Sequence, residues 1–205
     1  MSVPRTLLAS LAIVVAGVAT LAVATDGLRA FTAETARRID VREHPRAVPP
    51  IALQTARGEL IDIAGMRGRW LLVDFIYTRC MTYCSVQGSE FARLQRRLAR
   101  SIAEHRVALL SISFDPAYDG PVQLAAYQQR SGDRGAGWIA ARPTSAAALA
   151  ALMQVFGVTR IPDGFGGYVH NAAIAVVDPH GRLVAIMDWD TPDVAAEYVL
   201  GRLAQ

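Results

Sequence analysis

Apolar residues follow three different rhythms along this chain. The first is unbroken: Thr6 to Thr25, TLLASLAIVVAGVATLAVAT, carries no charge, and at 1.5 Å per residue such a stretch crosses the roughly 30 Å of a bilayer's hydrocarbon core. The second is the solid apolar run of a strand covered on both faces, seen in RWLLVDFIYT (69–78) and VALLSISFD (107–115). The third is helical, with Phe91, Leu94, Leu98 and Ile102 recurring among arginines between Ser85 and His105. Strand, helix and strand in that order make a β-α-β unit. Ahead of it, IALQTARGELIDIAG (51–65) predicts two short strands about an Arg57-Gly58 turn. Behind it come a helix over Pro121–Arg130, a short extended segment at Gly137–Arg142 and an alanine- and leucine-rich helix over Thr144–Phe156. NAAIAVVDPHGRLVAIMDW (171–189) reads as an antiparallel hairpin turning at Asp178-Pro179-His180-Gly181, and Thr191–Leu203 as a closing helix with Pro192 and Asp193 in its first turn. There is no internal repeat.

A β-α-β half followed by helix, hairpin and terminal helix is the element order of the thioredoxin-like α/β fold, here with N-terminal strand additions and an inserted helix. The domain organisation follows: residues 1–5 a cytoplasmic N-terminus, 6–25 a transmembrane anchor, 26–50 a periplasmic tether with a short amphipathic helix and the extended HPRAVPP, and 51–205 the folded domain. Arg5 and the terminal amine precede the span, so the positive-inside rule sends the domain across a bacterial inner membrane to the periplasm. The competing reading is a cleaved signal peptide, with Ala22-Val23-Ala24 as its cleavage site, although the apolar region exceeds the usual length. With 205 residues, 52% hydrophobic and 19% charged, the chain has ample material for one core. Its net charge of +3 comes from scattered arginines, which excludes a nucleic-acid tract.

The chemistry concentrates in FIYTRCMTYCS (75–85), which holds both cysteines of the chain, Cys80 and Cys84. They fall between a central strand and a helix, where open α/β sheets place ligand sites and where the helix dipole favours thiolate. Three residues separate them. If the segment is helical, positions i and i+4 place the β-carbons about 5–6 Å apart, a spacing that tolerates a disulfide with some distortion and suits a shared metal. A third ligand is then sought among four histidines. His44 falls in the tether, His105 at a helix end and His180 at a turn tip. His170, in DGFGGYVHNAAIAVVD, stands at the end of a glycine-rich loop and the start of a strand, in the corner the thiols occupy. Thiolates with an imidazole suit a soft or borderline metal ion, copper or zinc among them. Tyr77, Tyr83 and Tyr168 are candidates for the pocket wall.

At these residues the sequence resembles the Sco/SenC family of membrane-anchored copper proteins that assemble cytochrome c oxidase, through FIYTRCMTYCS, SISFDPAYDGP and GGYVHNAAIAVVDPHGRLV in that order. The resemblance implies copper, Cu(I) or Cu(II), held by Cys80, Cys84 and His170, with Asp115 and Tyr168 next to the ligands. It implies a metallochaperone whose client is the dinuclear copper site of oxidase subunit II or another copper enzyme, supplied by an upstream copper donor or a thiol reductant. The alternative is a thiol-disulfide oxidoreductase in which Cys80 attacks and Cys84 resolves, keeping the client's cysteines reduced. A peroxidase on the same scaffold would give His170 no role. Two departures stand out: Met81 and Ser85 follow the cysteines where the family commonly has proline, and Asn171 follows the histidine where many members have serine. Met81 adds a thioether, itself a soft copper ligand.

Overall fold

The computed structural model describes residues 3–80, 83–133, 135 and 137–205; the side chains of residues 3 and 83–85 are outside that description. The chain opens with α1 (Val3–Ala24), an apolar helix whose most hydrophobic stretch packs against nothing in the protein. Helix α2 (Ala33–Glu43) follows, started by Thr32, whose side chain accepts from the Thr35 N–H. Then come β1 (Arg46–Ala47), β2 (Ala52–Thr55) and β3 (Leu60–Asp62), a single 3-10 turn at Ile63–Met66, and β4 (Trp70–Ile76). Helices α3 (Tyr83–Arg97) and α4 (Ala99–Ala103) lead to β5 (Val107–Ser113), α5 (Pro121–Ser131), β6 (Trp138–Pro143) and α6 (Ala146–Phe156). A two-stranded ribbon, β7 (Arg160–Pro162) with β8 (Tyr168–His170), precedes the hairpin β9 (Ile174–Val177) and β10 (Arg182–Met187) and the last helix, α7 (Pro192–Leu203).

Eight strands form one sheet in the order β1-β10-β9-β4-β5-β6-β2-β3. β4, β5 and β6 run parallel, with Trp70 to Ile76 in register with Val107 to Ser113, while β9 flanks β4 antiparallel. The two central strands are buried along almost their whole length because helices cover both faces. Alternation along β4 sorts its side chains between two cores. Leu71, Val73 and Phe75 face a cluster completed by Val41 of α2 and Leu149, Leu152 and Phe156 of α6. Leu72 and Ile76 face Phe91 and Leu94 of α3, Leu124 of α5 and Ala195 and Val199 of α7. The β4-α3-β5 unit with the β9-β10 hairpin and α7 is the thioredoxin-like core expected from the element order.

Four local features differ from the sequence reading. The stretch 33–48, read as part of a tether, is docked: Val41 is wholly buried, β1 pairs with β10 through Arg46 and Leu183, and Arg37 reaches the α6 terminus. Its polar composition hides this, because the docking uses arginine hydrogen bonds and only two buried apolar residues, Val41 and Val48. The helix expected over Ser85–His105 breaks at Leu98, which leaves helical geometry between α3 and α4. The extended segment near Gly137–Arg142 is a full strand of the main sheet. Finally, His170 ends its own short strand, β8, rather than starting the next one.

Candidate metal centre at the end of strand four

Past β4 the backbone must turn away from the sheet, and two acids fix how it does so. Asp119, fully buried, accepts from the Thr78 N–H at 3.0 Å, from the Thr78 hydroxyl at 2.5 Å and from the Ser113 hydroxyl at 2.5 Å. Burial pushes the Asp119 carboxyl up, and these hydrogen bonds oppose that shift. The next side chain, Arg79, turns outward to an ion pair with Asp115 at 2.5 Å and lies over the Tyr118 ring at 4.5 Å. Asp115, expected beside the metal ligands, thus acts on the residue before Cys80 by neutralising Arg79. The Cys80 N–H closes the turn onto the Tyr77 carbonyl at 3.3 Å, and its half-buried side chain packs against the core cluster that includes Tyr77 and Phe114.

The ribbon brings His170 to the same end of the sheet. In its register Arg160 pairs with His170 and Pro162 with Tyr168, and period-two alternation sends Tyr168 and His170 inward while Val169 stays 64% exposed. Asp163 shapes the turn, its Oδ1 accepting from the Phe165 and Gly167 N–H groups at 2.8 and 2.9 Å. Tyr77 and Tyr168 bond reciprocally: the Tyr77 hydroxyl donates to the Tyr168 carbonyl at 3.2 Å and accepts from its N–H at 3.3 Å. The rings of Tyr77, Phe114 and Tyr168 meet edge-on or tilted at 5.3–5.7 Å, and the His170 ring lies 4.9 Å from Phe114 and 6.2 Å from Tyr77. Arg160 binds the Phe114 carbonyl and covers the Tyr168 ring at 5.3 Å. Burial holds the His170 pKa below its ordinary range, which keeps the imidazole neutral and able to ligate near pH 7.

Of the residues named from sequence, His170, Tyr77 and Tyr168 therefore gather around Phe114, Cys80 follows Tyr77 by one backbone-bonded turn, and Asp115 reaches the residue before Cys80 through Arg79. Cys84 lies in the first turn of α3; its side chain, like Tyr83's and the whole of Met81, falls outside the described residues. Among the described residues, which do not include the Cys84 side chain, no three His, Cys, Asp or Glu side chains converge as a metal site. Sequence reasoning did not single out Thr78, Ser113, Phe114, Asp119 or Arg160. Asp119 before Gly120-Pro121 looks like a helix-start residue, and nothing local signals that its carboxylate reaches back across the sheet. A neutral imidazole against an aromatic floor, with a thiol at the end of the neighbouring strand, offers donors suited to a soft or borderline ion such as copper.

Comparison with known proteins points the same way. The sequence model of the SCO1/SenC family matches residues 40–204. A protein of Stutzerimonas stutzeri described as copper-binding is 28% identical over 144 residues, which are 67% of each chain. Among solved structures, that of BsSco, a member of the Sco family of cytochrome c oxidase assembly proteins with an identified disulfide switch, aligns over 77% of this chain and 94% of its own. Its TM-score is 0.67 at 22% identity. Bradyrhizobium japonicum ScoI, solved with copper bound, aligns over 76% of this chain and 98% of its own with a TM-score of 0.63 at 24% identity. At these identities the structural likenesses speak for the fold.

Proposed function

Because the chain belongs to the SCO1/SenC family, we propose that it is a membrane-anchored periplasmic copper metallochaperone that holds copper through Cys80, Cys84 and His170 and passes it to the dinuclear copper site of cytochrome c oxidase subunit II. The single observation that supports this reading is that the His170 ring lies 6.2 Å from that of Tyr77, the residue whose carbonyl accepts the Cys80 N–H, although Cys80 and His170 are ninety residues apart in the chain. Relatives with copper in their structures or copper binding in their descriptions support the identity of the cargo. The apolar helix α1 is long enough to cross a membrane, and Arg5 ahead of it favours the periplasmic side for the domain.

In this mechanism the chain's own groups divide the work. Thiolate is supplied at the strand end and the start of α3, where unpaired helix N–H groups favour negative charge. Tyr77, Phe114 and Tyr168 keep water from one side of the His170 ring, and Asp119 fixes the loop carrying Cys80. Three ligands leave room for a recipient's donor, so the ion leaves by stepwise ligand exchange. A second reading, thiol-disulfide exchange by Cys80 and Cys84 that keeps a client's thiols reduced, draws on the disulfide switch described for BsSco. The two share sulfurs and differ in His170.

The test loads the full chain, reduced and without oxygen in detergent, with copper, and determines metal per chain after desalting. One copper in the wild type, lost in His170→Ala and in Cys80→Ser, is the expected outcome. Cysteines that cycle through a disulfide in a wild type holding no copper would leave only the exchange reading.

A further inference from the structure

His170 stands at the open end of the β7–β8 ribbon, which shares no strand pairing with the main sheet. One carbonyl joins that end to both α6 and α2. Helix α6 closes at Gly157, in left-handed geometry at φ +64, and its carbonyl oxygen accepts two donors, Arg37 Nη1 at 2.8 Å and Asn171 Nδ2 at 3.0 Å. The other end of the Asn171 amide accepts from the Thr159 N–H at 2.7 Å, and the Asn171 N–H donates to the Thr159 carbonyl at 3.4 Å. So the residue directly after His170 ties both the end of α6 and the start of the ribbon with the two atoms of one side-chain amide. Arg37 grips the same carbonyl from α2, bonds the Phe156 carbonyl at 2.9 Å and is itself braced by Glu34 at 2.7 Å. Its side chain is 11% exposed, and a β-carbon on Gly157 would lie 2.7 Å from Arg37 Cδ.

We infer that Asn171 and Arg37 are positioning residues that fix His170 relative to Cys80 by both donating to the Gly157 carbonyl, so that the docking of α2 sets the stiffness of the arm carrying the histidine. The inference rests on the copper reading for its consequence and on the hydrogen bonds above for its geometry. Both lone pairs of one carbonyl are in use, so loss of either donor loosens the same joint. Asparagine is needed at 171 because it offers a donor and an acceptor about 2 Å apart. A serine hydroxyl has one oxygen on a shorter stem and reaches only one of the two partners. The helix next to the apolar span thereby becomes part of the support of the metal site.

The experiment uses the full chain in detergent with two variants, Asn171→Ser and Arg37→Met, the latter keeping an apolar stem in the packed position. Thermal melts establish that each folds. In the metal-free reduced protein, amide hydrogen exchange over residues 158–171 should accelerate in both variants while the β4 and β5 amides keep wild-type rates. With copper loaded, release to a chelator should be about tenfold faster in both, and disulfide formation between Cys80 and Cys84, which does not involve His170, should be unchanged. Wild-type exchange over 158–171 together with wild-type copper release would overturn the inference. A wild type that holds no His170-dependent copper would instead sink the copper reading, and the exchange data would then decide the joint alone. If Arg37→Met does not fold, Asn171→Ser, whose side chain is half-buried beside a surface ribbon, carries the decision.

Discussion

Asp74 occupies the middle of β4 with no exposed surface, on the α3 side of the sheet, and its Oδ2 accepts from Gln87 Nε2 at 3.1 Å. Burial pushes its carboxyl up to about 7, against the opposing hydrogen bonds of Ser111 and Gln87. A carboxyl whose folded pKa is raised above its ordinary 3.8 keeps a proton in the folded state over a range where the unfolded chain has released it. The folded chain therefore binds the extra proton, and stability falls as pH rises from about 4 to about 7 and levels off above. Asp74→Asn removes this dependence. Its thermal midpoint should exceed the wild type's at pH 8 by several degrees and approach it at pH 4; a gap of equal size at both pH values would show that Asp74 carries no such cost. The same scale holds the His170→Ala test, where loss of one imidazole is expected to end copper retention. It also shows how far a sequence can be read residue by residue. Cys80 and His170 were legible because their chemistry is rare in this chain, whereas Asp119 was not, because buried hydrogen bonds to Thr78 and Ser113 leave no pattern in neighbouring residues.

At the scale of elements, α3 lies against α5 so closely that a β-carbon on Gly88 would sit 2.2 Å from Ser131 Oγ and 2.8 Å from Ser131 Cβ. Alanine normally stabilises a helix over glycine by up to about 1 kcal/mol. Here the overlap reverses the sign, and Gly88→Ala should cost about 1–3 kcal/mol in urea unfolding. Ser131→Gly placed with it should recover most of that loss beyond additivity; additive effects would mean that another contact sets the helix spacing. Because α3 carries Cys84 in its first turn, the pair also bears on the candidate site. Long periodic or solidly apolar elements, β4, β5, α6 and the β9–β10 hairpin, were legible from their patterns. The two-residue β1, the three-residue strands β7 and β8 and the break at Leu98 were not, since each owes its form to partners distant in sequence.

For the whole molecule the informative boundary lies between α1 and α2. Arg29 pairs with Glu43 and Asp26, Arg38 with Asp188, and Arg46 with the Val155 carbonyl, so the chain is bound to the domain soon after it leaves the apolar helix. A protein lacking residues 1–30 should be water-soluble and retain copper. One lacking 1–50 should lose at least about 3 kcal/mol, from the burial of Val41 and the charge-assisted bonds of Arg37 and Arg46, with a parallel loss of copper retention. Equal melting of the two proteins would restore 26–50 to the status of a spacer. By itself the sequence determined the apolar helix, the β-α-β core and its closing hairpin, and the cysteine pair at the strand end, because each of these follows from periodicity or from residues near one another in the chain. The docking of α2, the ribbon that carries His170 inward and the joint of Arg37, Gly157 and Asn171 were decided only by the tertiary structure. Their energies come from single hydrogen bonds and buried contacts between segments up to 150 residues apart, and such pairings are specified by the folded geometry as a whole.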